Sequence, residues 1–317
     1  MRTLVAVLRL ALCVGVHSPA RAALVALRTK KQRPKVSYFY GCAAAGAVST
    51  SVTHTVFLPL DVIKTRMQSD KALAAMGARR SMQHVLATQG AKGLLAGAGA
   101  NFAGYFAQGA LKFGLYERFK RDVALIVASL TDEETSRRWR IPIWMLSSAC
   151  AEVVACVALC PMEATKIRMV TDSAYARSTA AALRRILREE GARSLYRGIF
   201  PIMVRQVPYT VTKLVGYEML AKAFGAGLAP GVIAGAAAAF VSQPGDVLLS
   251  KMCGGSKIAR VGQQCSLSLA AALSSCTLPE LFVGLQPRAA MCAAICAGQF
   301  FLYEALRPKP AKVAAVA

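Results

Sequence analysis

Three octapeptides repeat one plan along this chain: PLDVIKTR at 59–66, PMEATKIR at 161–168 and PGDVLLSK at 244–251. Each has a proline, any residue, an acid, then a basic residue five or seven places beyond the proline, and each closes an apolar run. Each is followed by a Tyr-Glu pair, namely Tyr116-Glu117, Tyr217-Glu218 and Tyr303-Glu304, at offsets of 57, 56 and 59 residues from Pro59, Pro161 and Pro244. Self-similarity of this kind constrains the fold strongly, because every copy must form the same local unit and the copies must pack on one another.

Between the landmarks lies a polar amphipathic stretch with a glycine-marked re-entry. It is clearest in ALRRILREEGARSLYRG (182–198), where Leu183, Ile186 and Leu187 fall on one helical face and Arg and Glu on the other. SMQHVLATQGAKGLLAG (81–97) and SLSLAAALSSCTLPELFVG (266–284) stand in the same place in the other two copies. Each unit therefore reads helix, surface helix, helix. Tripled, it predicts an all-α membrane protein with six transmembrane helices in three pseudo-threefold repeats around a central cavity. The repeats are set at 36–130, 131–225 and 226–307, with a tail at 308–317.

Composition supports a bilayer. No Asp, Glu, Lys or Arg occurs from Val36 to Leu60, Gly93 to Leu111, Ala223 to Gly245, or Ala289 to Tyr303. Two further segments, 141–162 and 201–220, are similarly apolar but interrupted by charge. Such runs suit a hydrocarbon core of about 30 Å. The net charge of +23 raises the possibility of nucleic-acid binding, yet the basic residues sit between and at the ends of apolar runs, not on a soluble face interleaved with aromatics. Cysteines are scattered through apolar runs with no CxxC and no His at ligand spacing, so neither a metal centre nor a cofactor is expected; Cys292 and Cys296, four apart, are the one pair of note. Residues 1–35 carry eight basic residues and no acid, the composition of an organellar targeting segment. A secretory signal is the alternative, with ARA at 20–22 as a cleavage-like site, although Arg9 interrupts its apolar core.

The tripled Pro-x-acid-x-x-Lys-x-Arg pattern resembles the mitochondrial carrier family over roughly residues 36–307. Within that family THTVFLPLD, QGALKFGLYE, SACAEVVACVALCPMEATKIR and RQVPYTVTK are similar to the phosphate carriers. The resemblance implies an inner-membrane transporter that moves inorganic phosphate with a proton, or against hydroxide, by alternating access. It implies a monomer, surrounded by inner-membrane lipid such as cardiolipin, with its surface helices on the matrix side. A carrier of another small anion, and a non-transporting docking protein on the same scaffold, stay open. No Ser-His-acid set or phosphate-cradling glycine loop points to an enzyme.

Residue roles follow from spacing and from the resemblance together. Pro59, Pro161 and Pro244 lack an amide hydrogen and should bend three helices at equivalent depth. The resemblance implies a matrix gate of Asp61, Lys64, Glu163, Lys166, Asp246 and Lys251, although Leu249 stands where Lys64 has its equivalent. It implies a cytoplasmic gate of Glu117, Lys120, Glu218, Glu304 and Arg307, in which Ala221 replaces the expected base of the second copy. His54 lies two turns before Asp61, flanked by Thr53 and Thr55, and Glu152 lies three turns before Glu163. Thr53, His54, Asp61, Glu152 and Glu163 form the expected proton-coupling set, with Cys156 where the family commonly has Asp. Gln108 and Lys112 are one turn apart, and Arg205, Gln206, Tyr209 and Lys213 repeat the arrangement. With Gln299 these are the expected substrate-binding residues, since intramembrane cations without an adjacent acid call for an anionic, oxygen-rich counter-ion such as phosphate. Cys292 and Cys296 raise a copper ion as an additional cargo.

Overall fold

The computed structural model describes residues 36–69, 71–130, 133–172, 174–252, 279–282 and 285–308. Residues 1–35, expected to be a targeting extension, most of the third surface stretch and nearly all of the tail lie outside them. Among the described residues all regular structure is helical: α1 (Val36–Val56), α2 (Leu58–Ser69), α3 (Lys71–Met76), α4 (Ala78–Leu94), α5 (Ala98–Leu130), α6 (Glu133–Arg138), α7 (Arg140–Thr171), α8 (Thr179–Glu189), α9 (Ile199–Phe224), α10 (Leu228–Met252) and α11 (Leu285–Leu306), with short 3₁₀ turns at Ala192–Tyr196 and Pro279–Phe282.

The six long helices close a ring. α1 packs on α5, α5 on α7, α7 on α9, α9 on α10, α10 on α11, and α11 returns to α1. Glycines set the closest crossings. A Cβ added to Gly46 would lie 2.6 Å from the carbonyl oxygen of Gly109, so α1 and α5 approach backbone to backbone. Gly231 and Gly235, four apart on α10, do the same against Ala297 and Cys292 of α11, an association through small residues that suits lipid surroundings.

The ring is turned inside out relative to a soluble bundle. Val153, Val154 and Val157 of α7, Phe102 and Phe106 of α5, and Phe240 and Val241 of α10 are exposed, while Gln108, Lys112, Glu152, Lys213 and Gln299 are buried. An apolar exterior around a charged interior is stable where the outer solvent is hydrocarbon. Among the described residues three helices have the length and apolarity of a membrane crossing by themselves: Arg140–Thr171, Leu228–Gly245 and Arg288–Leu306. α1, α5 and α9 are comparably long, at 21, 33 and 26 residues, but carry more polar side chains, many of them buried.

The three prolines do not all act alike. Pro59 has no amide to give to the carbonyl of Thr55, and the helix breaks at Phe57, whose carbonyl instead accepts from Leu60 and Asp61 at 3.2 and 3.3 Å. Pro161 and Pro244 lie inside helices that continue through them, as does Pro208 of α9. Thr165 donates its hydroxyl to the Pro161 carbonyl at 2.8 Å.

The surface helix of the second unit folds as its pattern requires. Ser178 caps α8 by accepting from the Ala181 amide, and Ala182 and Ile186 bury against Ala164, Tyr175 and Leu195, with Leu183 packed beside them. Leu187, about 100° further round the helix, departs from the expected face and stays largely exposed. Arg168 of α7 pairs with Glu190 at 2.7 Å and ties the end of the long helix to the end of α8.

Candidate functional site

The middle of the ring holds Thr50, Gln108, Lys112, Glu152, Thr210, Lys213 and Gln299, each no more than 2% exposed. Two separate hydrogen-bond chains run through them. In one, Gln108 of α5 donates to Glu152 Oε1 of α7 at 2.7 Å, and the Cys156 thiol donates to the same oxygen at 3.6 Å. In the other, Lys213 of α9 donates to Gln299 Oε1 of α11 at 2.9 Å, and Gln299 Nε2 donates to Thr50 Oγ1 of α1 at 2.5 Å.

Several atoms between the chains have no partner. Among the described residues Lys112 makes neither hydrogen bond nor ion pair; its ammonium lies 5.8 Å from the Phe113 ring centre. Glu152 Oε2, Gln108 Oε1 and Thr210 Oγ1 are buried without a hydrogen bond. A buried cation and unsatisfied polar atoms on neighbouring ring helices mark a place suited to a polar guest, because leaving such groups unpaired costs roughly 1–3 kcal/mol each and more for a charge.

The other expected ligands are placed as follows. Tyr209 sits with its hydroxyl 3.0 Å from Cys296 Sγ, and Arg205 and Gln206 are half-buried on α9. Cys292 and Cys296 are both buried; the described residues contain no cluster of three or more His, Cys, Asp or Glu able to hold a metal. Arg288, which shares a face with Gln299 in sequence, bonds to α10, donating to Gln243 Oε1 and Ser242 Oγ at 2.9 Å each.

His54 does not meet Glu152 through a hydrogen bond; it stacks on Tyr105 of α5 with ring centres 3.7 Å apart and planes 9° from parallel. The Lys166 ammonium stands 5.7 Å from the same Tyr105 ring. Thr53 donates to the Ser49 carbonyl of its own helix, whereas the Thr55 hydroxyl is buried without a partner. Tyr105 and Thr50 were missed by sequence reasoning. Tyr105, Gln108 and Lys112 stand three and four apart and share one helical face, so the signal was present. Thr50 lies one turn before His54 in a run of Ser and Thr that gives no reason to prefer one over another.

Each end of the ring is latched. At the proline end Lys166, almost fully buried, bridges Asp61 of α2 and Glu163 of its own helix at 2.9 Å each. Lys64 is half-buried on α2, and the side chains of Asp246 and Lys251 fall outside the described part of the structure. At the Tyr-Glu end Lys120 of α5 bridges Glu117 at 3.0 Å and Glu218 of α9 at 2.7 Å, and Arg307 pairs with Glu304 at 2.8 Å. Beneath these pairs Tyr116, Tyr217 and Tyr303 are buried in one apolar cluster that draws on all six long helices. Phe300 stacks on Tyr217 at 3.7 Å and Phe113 on Tyr303 at 4.2 Å, so the tyrosines of the three repeats plug this end.

A family model described as "Mitochondrial carrier protein" matches residues 35–124 and 140–228. Among curated proteins, mitochondrial substrate carrier family protein N of Dictyostelium discoideum is 36% identical over 86% of this chain and 94% of its own length. Mitochondrial phosphate carrier protein 2 of Arabidopsis thaliana is 37% identical over 68% of this chain and 62% of its own length. A probable mitochondrial phosphate carrier protein of Schizosaccharomyces pombe is 30% identical over 85% of this chain and 90% of its own length.

Proposed function

The chain belongs to the mitochondrial carrier family, multi-pass transporters of the inner membrane, and from that premise we propose that it carries inorganic phosphate into the matrix with a proton, or equivalently against hydroxide. The observation that carries this reading is Lys112: a buried ammonium with no anionic partner among the described residues, one turn from Gln108 and within electrostatic reach of Lys213. Two cations so placed repel each other, and an oxyanion between them removes both the repulsion and the unmet hydrogen bonds. The phosphate carriers of Arabidopsis and fission yeast among the relatives agree with that chemistry.

In this reading all six long helices cross the membrane, α1, α5 and α9 lining the cavity with their polar faces. The Asp61–Lys166–Glu163 latch closes the matrix side, with Lys64, Asp246 and Lys251 completing it, and the Lys120 and Arg307 pairs close the cytoplasmic side. Alternating release of the two latches exposes the cavity to one compartment at a time. His54 and Glu152 hold the transported proton: a neutral imidazole has one ring nitrogen open to accept it, and Glu152 presents an oxygen without a hydrogen bond among the described residues. Arg205, Gln206 and Tyr209 complete the phosphate contacts as the cavity opens.

The test is uptake of labelled phosphate into proteoliposomes holding the purified chain, with and without an inward proton gradient. Expected are saturable uptake, stimulation by the gradient, and much weakened uptake in Lys112→Gln. Uptake indifferent to the gradient would remove the proton from the mechanism. Uptake of another small anion in place of phosphate would reassign the cargo, and a folded protein that carries none would leave the docking scaffold as the better reading.

A further inference from the structure

Gln299 joins three of the ring helices through its two amide hydrogen bonds. It is fully buried on α11, accepts from Lys213 of α9 and donates to Thr50 of α1. The orientation of its amide is fixed by chemistry: an ammonium can only donate, so the carbonyl end must face Lys213 and the NH₂ end must face the Thr50 hydroxyl. An amide oxygen therefore occupies, on a buried cation, the place that an anionic oxygen would take.

Resting on the phosphate reading above, we infer that Gln299 is a built-in stand-in for the anion: arriving phosphate displaces its Oε1 from Lys213, and the displacement releases Thr50 and loosens the α11–α1 seam. The exchange is favourable at Lys213 because a bond between two charged groups is stronger than one between a charged and a neutral group. It is communicated to α1 because the amide is planar. Its two ends move together, so turning Oε1 away from Lys213 carries Nε2 out of line with Thr50. The seam is where the third repeat meets the first, the one junction of the ring that no continuous stretch of chain spans. Cargo binding and helix separation thus become one event, which is what alternating access demands of a binding site.

A stand-in must be displaced and so weakens phosphate binding, whereas a direct ligand strengthens it; the two roles predict opposite changes in KM. Gln299→Leu removes the competitor, and KM for phosphate uptake is expected to fall about two- to tenfold, the range that one net hydrogen bond supports. Thr50→Val keeps the Lys213 bond but frees the amide to turn, and is expected to lower KM less. Gln299→Glu places a permanent carboxylate on Lys213 and is expected to raise KM steeply. The order Leu, Val, wild type, Glu in ascending KM supports the inference; a raised KM in Gln299→Leu with normal wild-type uptake overturns it alone. If Gln299→Leu does not fold, the opposite shifts of Thr50→Val and Gln299→Glu carry the same decision. Absence of phosphate uptake by the wild type overturns the phosphate reading itself and takes this inference with it.

Discussion

At the scale of single side chains, the cavity is defined by which polar atoms are satisfied. Lys112 has its charge in place and no partner among the described residues, while Lys213, one helix pair away, is held by Gln299. Replacing Lys112 by Gln removes a charge-assisted bond worth ~1.5–3 kcal/mol in the bound state, so kcat/KM for phosphate is expected to fall about ten- to hundredfold, read from initial uptake rates. Tyr105 has a different task. It holds the His54 imidazole by a stack worth ~0.5–1.5 kcal/mol, with the Lys166 ammonium near the same ring. Tyr105→Leu is expected to weaken the response of uptake to a proton gradient while leaving KM for phosphate nearly unchanged, and Tyr105→Phe to retain the response. Equal loss in both variants would assign Tyr105 a role through its hydroxyl. The spacing of Gln108 from Lys112 and of Tyr209 from Lys213 was legible in the sequence because one helix turn is a local property. That Gln108 would spend its NH₂ on Glu152 was not legible, since the pair is 44 residues apart and meets only where α5 crosses α7.

Among the elements, the close α1–α5 crossing determines how near Thr50 and His54 come to Gln108 and Lys112. A Cβ at Gly109 would stand 2.6 Å from Thr50 Oγ1 and collide with the Gly46 carbonyl. Gly109→Ala is therefore expected to destabilise the folded carrier by about 1–3 kcal/mol, seen as a lowered melting temperature in detergent. Gly227→Ala, where an added Cβ meets nothing within 4 Å, is expected to leave it unchanged and serves as the control. The break at Phe57 illustrates how little a motif says about local geometry on its own. Pro59, Pro161 and Pro244 occupy equivalent places in the repeat, yet only Pro59 separates two helices, for α7 and α10 continue through their prolines. The packing partners also differ: α7 lies between α5 and α9 in the ring, whereas α2 beyond Pro59 packs on α4 and α7.

For the molecule as a whole, the two ends of the ring are closed by different means. The proline end relies on one lysine shared by two acids, and the other end adds an aromatic plug from all three repeats to its ion pairs. With side chains 22% and 20% exposed, the Lys120–Glu218 pair keeps about 1 kcal/mol after solvent screening, enough to shift a two-state balance about fivefold. Lys120→Glu is accordingly expected to slow phosphate exchange or make it leaky, and Lys120→Glu combined with Glu218→Lys to restore part of the rate; equal defects in the single and double variants would dissociate this pair from gating. By itself the sequence determined the helical periodicity, the threefold repetition, the apolar runs and the sites where charge enters them, because these depend on residue order and the chemistry of each side chain. Only the tertiary structure decided that the six long helices close a ring, that Lys166 reaches Asp61, and that Gln299 joins Lys213 to Thr50. Those contacts unite residues 86 to 249 positions apart, and such distances are closed by packing among helices, which no local pattern encodes.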